Sequence, residues 1–185
     1  YESQIEFYKG IAVPYGYINT SEGLELDFDA IEKGVENGAK HIFYNNYNNP
    51  TGASSSDNEI ERLAELVIKN DMFLISDDAY FDTLYDGEPK SIASYPGMHE
   101  RTLTMYTFSK KFAMTGWRLG ASIGPKKIIE QINRLNVNME SCTTHFVQYA
   151  GLAGLNAPKK ETQDILDTLK KRRDALVRIL NGIDG

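Results

Sequence analysis

Cysteine is almost missing from this sequence, and its scarcity excludes several kinds of site. Cys142 is the only cysteine among the 185 residues, so the chain can form neither an internal disulfide nor a metal site built on a cysteine pair. The three histidines, His41, His99 and His145, lie far apart without the spacing of metal ligands, so no metal site is expected.

Long apolar runs and positive charge are also scarce. No apolar run approaches the roughly 20 residues of a membrane-spanning helix, and no signal peptide is recognisable, so we expect a cytoplasmic location and no membrane partner. The net charge is -6 and the pI is about 5.1, which argues against a nucleic-acid partner. The one concentrated basic run, residues 170–173, is expected to be a solvated helix face.

What remains is sufficient for a packed core. Hydrophobic residues make up 41% of the sequence, and the length fits one domain. The sequence begins at Tyr1 and ends in a helix-like stretch, residues 175–185, so we expect it to be a piece of a longer protein.

Strand-like and helix-like segments alternate along the chain, which predicts an α/β fold with a mostly parallel sheet and right-handed crossovers. Strands are predicted at residues 11–18, 41–44, 72–75, 101–108 and 118–123. Helices are predicted at residues 27–37, 56–70, 125–138, 143–156 and 158–180. Residues 81–100 contain two prolines and two glycines and are predicted to form a long functional loop.

The stretch TFSKKFAMTGWRLG, residues 107–120, joins the last two predicted strands. It is too short for a crossover helix, so the second strand is predicted to run antiparallel to the first. That return brings Thr107, Ser109, Lys110 and Arg118 around one spot. A nucleophilic lysine, two hydroxyls and a guanidinium suit a phosphorylated carbonyl compound.

Other polar residues follow the neighbouring strands. Asn49 comes after the strand at 41–44, and Asp77 and Tyr80 come after the strand at 72–75. Ligands of open α/β sheets bind beyond the carboxyl ends of the strands, so these residues are expected to share a cleft with the lysine. Taken alone, the run around Asn49 is typical of a turn, and an Asp at a strand end is typical of a helix cap.

The 107–120 stretch resembles the lysine signature of the class I and II aminotransferases, enzymes that use pyridoxal 5′-phosphate (PLP). In that pattern a hydroxyl residue, Ser and the Schiff-base Lys precede a Gly-x-Arg-aliphatic-Gly run, as they do here. Lys110 stands at the Schiff-base position, and Lys111 is expected to be a solvated loop charge.

Two further motifs of that family are present in the expected order. Residues 49–52 resemble its Asn-Pro-Thr-Gly motif, although Tyr47 stands where relatives commonly have proline, a change expected to affect the loop more than the chemistry. Residues 77–80 resemble its Asp-Glu-x-Tyr element, with Asp78 in place of the commoner glutamate.

The resemblance implies a role for each candidate residue. Lys110 would hold the cofactor as a Schiff base and then shuttle the proton, while Asp77 would keep the pyridine nitrogen protonated. Asn49 and Tyr80 would contact the phenolic oxygen of the cofactor. The phosphate would be bound by Thr107, Ser109 and Arg118. The aromatic ring that stacks on the cofactor is expected near the start of the chain.

The resemblance also implies the domain and the activity. Residues 1–185 would be the PLP-binding large domain, without the amino-terminal segment and the small carboxyl-terminal domain that relatives have. The intact protein would be a homodimeric amino-acid aminotransferase that transfers an amino group between an amino acid and a 2-oxo acid. A PLP-dependent C–S lyase of the same fold, or an inactive truncated cofactor-binding domain, would share every motif named above.

Overall fold

The computed structural model describes residues 1–183 as helices surrounding one main sheet, with a small hairpin beside it. Its strands are β1 (Tyr17–Thr20), β2 (Gly23–Leu26), β3 (His41–Tyr44), β4 (Phe73–Asp77), β5 (Thr102–Thr107) and β6 (Gly120–Ile123). Its α-helices are α1 (Glu2–Phe7), α2 (Phe28–Glu36), α3 (Asp57–Lys69), α4 (Phe108–Lys111), α5 (Lys126–Met139), α6 (His145–Asn156) and α7 (Lys160–Leu180).

The main sheet has four strands in the order β3-β4-β5-β6. The first three are parallel, and β6 pairs antiparallel with β5. This confirms the predicted mostly parallel α/β sheet with one antiparallel strand. The register places Asp77 beside Met105 and Thr107 beside Gly120, so the ends of β4 and β5 lie at the same edge as the start of β6.

The largest core lies between the sheet and helices α2 and α3. Leu63 and Val67 of α3 and Leu74 of β4 are completely buried there. Burial of each such side chain stabilises the fold by roughly 1.5–3 kcal/mol relative to exposure. This core fixes β3 and β4, the two strands that carry the Asn49 and Asp77 motifs.

Side-chain caps explain where the two core helices begin. Asp27 accepts a hydrogen bond from the backbone N–H of Ala30 at the start of α2. Ser56 and Glu59 form a reciprocal capping box at the start of α3. Both helices lie where the sequence predicts them, within one residue at each end.

A second, smaller core lies under the 107–120 stretch. It consists of the buried side chains of Phe108, Met114, Leu119 and Val147. Gly151 of α6 is buried against it, since a Cβ at that glycine would lie 2.4 Å from the Leu119 side chain. Helix α6 therefore supports the turn that carries the predicted cofactor residues.

The amino-terminal quarter differs from its prediction. Only Tyr17 and Ile18 of the predicted strand at 11–18 belong to β1, and residues 11–16 form no strand. Pro14 has no N–H to donate to a neighbouring strand, which disfavours strand pairing there. The sequence pattern indicates neither strand β2 nor helix α1, both of which the structure contains. The turn between β1 and β2 is at Ser21 and Glu22.

The long loop after β4 is irregular, as predicted, whereas the basic run of α7 is less solvated than predicted. Residues 81–101 contain only three short 3-10 helices, as the predicted irregular segment implies. Two residues of the basic run are not simply solvated: Lys170 pairs with Asp86 at 2.6 Å, and the Arg173 guanidinium lies 4.8 Å from the ring centroid of Tyr85. Among residues 1–183, no helix has the length and apolarity needed to cross a membrane.

Candidate active site

Asp77 is the last residue of β4, and its carboxylate faces Tyr1. The Tyr1 hydroxyl donates to Asp77 Oδ2 at 3.2 Å, and the backbone N–H of Ala79 donates to Oδ1 at 3.3 Å. Asn45 Nδ2 donates to the Asp77 carbonyl oxygen at 3.1 Å, which ties the end of β4 to the end of β3. Partial burial and then the charge of Asp77 raise the pKa of Tyr1, so this phenol stays protonated and donates.

The neighbouring carboxyl has a different environment. Asp78 is buried and accepts a 2.6 Å hydrogen bond from the Ser76 hydroxyl. Burial raises the pKa of Asp78 above the ordinary carboxyl value. Asp77 is only half-buried and is therefore the carboxylate of this pair that can reach a ligand at the strand edge.

The Asn49 loop is organised by Asn45 rather than by Asn49 itself. Asn45 Oδ1 accepts from Asn48 Nδ2 at 3.1 Å and from the backbone N–H of Asn49 at 3.2 Å. The Asn49 residue is exposed. Sequence reasoning misses Asn45, although a polar residue directly after a parallel strand lies at the edge of the sheet where ligands bind.

Tyr47, the departure from the family pattern, contacts the loop that follows β4. Its hydroxyl accepts from the backbone N–H of Lys90 at 3.2 Å, and its ring lies edge-on to Phe81 at a centroid distance of 6.3 Å. These contacts agree with the expectation that Tyr47 affects the loop.

The lysine segment is a single helical turn that begins where β5 ends. The Thr107 side chain caps α4 by accepting from the backbone N–H of Ser109 at 3.2 Å. Ser109 is buried, and Lys110 Nζ lies 5.1 Å from the ring centroid of Tyr80. The structure thus brings Lys110 and Tyr80 together. The connection between β5 and β6 contains a short helix, whereas the sequence predicts a loop there.

The two adjacent lysines are distinguished by their partners. Lys111 Nζ forms a 2.8 Å ion pair with Asp82, and its side chain is 31% exposed. The expectation that Lys111 is a solvated loop charge is therefore wrong. Among the described residues, Lys110 has no carboxylate partner of this kind, so its amine is the one available for chemistry.

Arg118 lies in a left-handed backbone conformation, with φ 53° and ψ 50°, immediately before Leu119 and β6. Its Nη1 donates to the Thr115 carbonyl oxygen at 2.9 Å. The side chain borders an open cavity of about 710 Å³ whose lining includes Trp117, Arg118, Glu140, Thr143 and Phe146. Lys110 and Asp77 are not among the residues that line this cavity.

The donor set matches the chemistry of PLP. An amine without a counter-ion can bond to an aldehyde, a half-buried carboxylate can face a ring nitrogen, and hydroxyls with a guanidinium can bind phosphate. Two residues at this edge carried no sequence assignment. Tyr1 contacts Asp77, and Asp82 contacts Lys111; neither contact is signalled by spacing, since the partners are 76 and 29 residues apart.

Comparison with known proteins supports the same chemistry. The family described as aminotransferase class I and II matches residues 1–185. Aspartate aminotransferase of Musicola paradisiaca is 38% identical over 145 residues, 78% of this chain and 36% of that protein. Aromatic-amino-acid aminotransferase 2 of Thermococcus litoralis is 36% identical over 84% of this chain and 41% of that protein.

Solved structures agree with the fold. Alanine aminotransferase from Pyrococcus furiosus superposes on this chain with a TM-score of 0.88 and 32% sequence identity. The match covers 100% of this chain and 48% of the alanine aminotransferase chain. A double mutant of Thermus thermophilus aspartate aminotransferase gives a TM-score of 0.88 at 30% identity, and the match covers 98% of this chain and 47% of that chain. The chain spans less than half the length of these relatives.

Proposed function

We propose, from the premise that this chain belongs to the class I and II aminotransferase family, that the intact protein transfers an amino group between an amino acid and a 2-oxo acid. The observation that carries the proposal is the position of the Lys110 amine beside Tyr80, without a carboxylate partner among residues 1–183, in a segment that matches the family's lysine signature. Members of this family use PLP, whose ring takes up the electrons left when the substrate loses its α-proton.

Lys110 has two proposed tasks. Its amine would hold the cofactor covalently in the resting enzyme, and it would then move the proton at the substrate α-carbon. Within the described part of the chain no carboxylate is paired with this amine, which supports both tasks because the amine is not held by an ion pair.

The remaining candidates are proposed to bind and orient the cofactor. Asp77 would face the ring nitrogen, a role supported by its half-exposed carboxylate at the end of β4. Asn49 and Tyr80 would donate to the phenolic oxygen. Thr107, Ser109 and Arg118 would hold the phosphate, supported by their common origin in the turn between β5 and β6.

We further propose that residues 1–185 are the PLP-binding large domain of a cytoplasmic homodimer. The coverage of under half of each relative supports assigning the remaining segments to other parts of the protein. Relatives named for aspartate, aromatic amino acids and alanine all match this stretch, which supports placing the choice of amino acid largely outside it. The C–S lyase alternative is not favoured, because these relatives are named as aminotransferases.

The test uses the intact protein. Added PLP is expected to give an absorption band in the near-ultraviolet or visible range, and borohydride is expected to fix the cofactor to the Lys110 peptide, as located by mass spectrometry. Lys110→Ala should abolish this fixation, and Lys111→Ala should retain it. Amino-group transfer from a panel of amino acids to 2-oxoglutarate would then identify the substrate. Fixation to Lys111, or the absence of any band, would refute the proposal.

A further inference from the structure

Asp82 is bonded through both of its carboxylate oxygens. The Tyr106 hydroxyl donates to Oδ2 at 2.6 Å, and Lys111 Nζ donates to Oδ1 at 2.8 Å. The two donors come from different elements, Tyr106 from β5 and Lys111 from α4. Asp82 itself lies in the short 3-10 helix Phe81–Thr83 that follows β4.

These three residues are close in sequence to residues proposed for catalysis or cofactor binding. Asp82 is two residues beyond Tyr80, Tyr106 directly precedes Thr107, and Lys111 directly follows Lys110. The carboxylate therefore joins the segment that carries Tyr80 to the segment that carries Lys110. Helix α4 has only four residues, too few to be stable by itself, so its position depends on outside contacts such as this one.

The environment makes the contact stronger than a surface ion pair. The Asp82 and Lys111 side chains are 21% and 31% exposed, so solvent screens their attraction less than it screens the other ion pairs of the described chain. Burial and the bond to Asp82 raise the pKa of Tyr106, which keeps this phenol a neutral donor. The ionisable groups that contact Asp82 among residues 1–183 are Tyr106 and Lys111, and Lys110 contacts Tyr80.

We propose that Asp82 is a positioning residue: it holds the Lys110 turn against the Tyr80 turn and balances the charge of Lys111, the residue that follows Lys110 in the chain. This rests on the proposed function for the role of Lys110. Without Asp82, the unpaired Lys111 cation would favour the neutral form of the Lys110 amine. Without Lys111, the unpaired Asp82 anion would favour the charged form of the Lys110 amine.

The opposite signs give the test. In the cofactor-free intact protein, the reaction of Lys110 with acetic anhydride is followed against pH by peptide mass spectrometry, because only the neutral amine reacts. We expect Asp82→Asn to lower the midpoint of that curve and Lys111→Met to raise it, each by roughly 0.5 pH unit. The double variant should return close to the parent midpoint. Asp86→Asn, which removes a carboxylate paired with Lys170 in the same loop region, should leave the curve in place.

The loaded enzyme gives a second measurement. Asp82→Asn is expected to lower kcat about tenfold with little change in KM, since positioning acts on the reacting complex more than on substrate binding. Lys111→Met keeps Asp82 and its Tyr106 bond, so it tests the sign by itself if Asp82→Asn fails to fold.

Midpoint shifts of the same sign in the two single variants, or no shift in either, would overturn the inference. If the parent protein binds PLP but shows that result, the inference fails and the proposed function stands. If the labelling pattern holds but the parent binds no PLP, the proposed function fails and the charge balance around Lys110 stands.

Discussion

Gly120, the first residue of β6, has no room for a side chain. A Cβ built there would lie 2.9 Å from the Tyr106 carbonyl oxygen of β5, a backbone atom that cannot rotate away. Gly124, just past the other end of β6, has the same problem, with the Thr102 carbonyl oxygen at 2.9 Å. Alanine at either position must therefore separate β5 from β6 locally.

The expected cost follows from two opposing effects. Forcing a methyl group into such a contact costs about 1–3 kcal/mol. Replacing glycine also restricts the unfolded chain, which returns about 0.4–1 kcal/mol. We therefore expect Gly120→Ala and Gly124→Ala each to destabilise the protein by about 1–2 kcal/mol. With a slope near 2 kcal/mol per molar urea, the unfolding midpoint should fall by about 0.5–1 M.

The assay is urea unfolding of the intact protein followed by circular dichroism. Gly16→Ala is the matched control, because nothing lies within 4 Å of a Cβ at that glycine, and it is expected to be neutral or slightly stabilising. Gly120→Ala should also weaken PLP binding, since this residue lies two positions after Arg118, whereas Gly124→Ala should affect stability alone. If Gly120→Ala unfolded at the same urea concentration as Gly16→Ala, that result would contradict the close approach of β5 and β6 at Gly120.

Two further predictions use the same unfolding assay. The buried Tyr44 hydroxyl has no hydrogen-bond partner among the described residues, so Tyr44→Phe should be neutral or should stabilise the fold by up to about 1 kcal/mol. The Tyr15 hydroxyl donates to the Phe43 carbonyl oxygen of β3 at 2.7 Å, so Tyr15→Phe should destabilise the fold by about 1 kcal/mol. Equal effects of the two substitutions would contradict this prediction. Because burial raises the pKa of Asp78, the folded state binds that proton more tightly than the unfolded state and loses stability as the pH rises through the raised value. Asp78→Asn keeps an oxygen for Ser76, so it should stabilise the protein at neutral pH and lose this advantage below about pH 4; a pH-independent difference between the two proteins would refute the assignment.

The parts of the fold that the sequence predicts well are those whose causes are local. Helices α2 and α3 have an apolar stripe and a capping side chain within four residues, and the run HIFY of β3 is a strand of matching length. Strand β2 is only four residues long and three of them are exposed or half-buried, so it lacks the apolar alternation that would reveal it. Helix α1 has no buried residue, and its sequence therefore carries no stripe to detect.

The candidate site shows the same division between local and distant causes. The order of strands and polar residues is enough to predict that Lys110 and Tyr80 approach one another, because both follow neighbouring parallel strands. The ion pair of Lys111 could not be predicted, since its partner Asp82 belongs to a different segment of the chain. The contact between Tyr1 and Asp77 likewise depends on tertiary packing that brings the first residue to the sheet edge.

The left-handed backbone at Arg118 has a consequence for engineering this protein. An L-residue in that conformation is disfavoured by roughly 1–2 kcal/mol relative to its right-handed form, and glycine would relieve the strain. A screen that selects only for heat resistance would therefore favour glycine at this position, and it would remove the guanidinium proposed to bind the phosphate. Thermostable variants should therefore also be tested for PLP binding, because glycine at position 118 would relax the backbone and at the same time remove a proposed phosphate ligand.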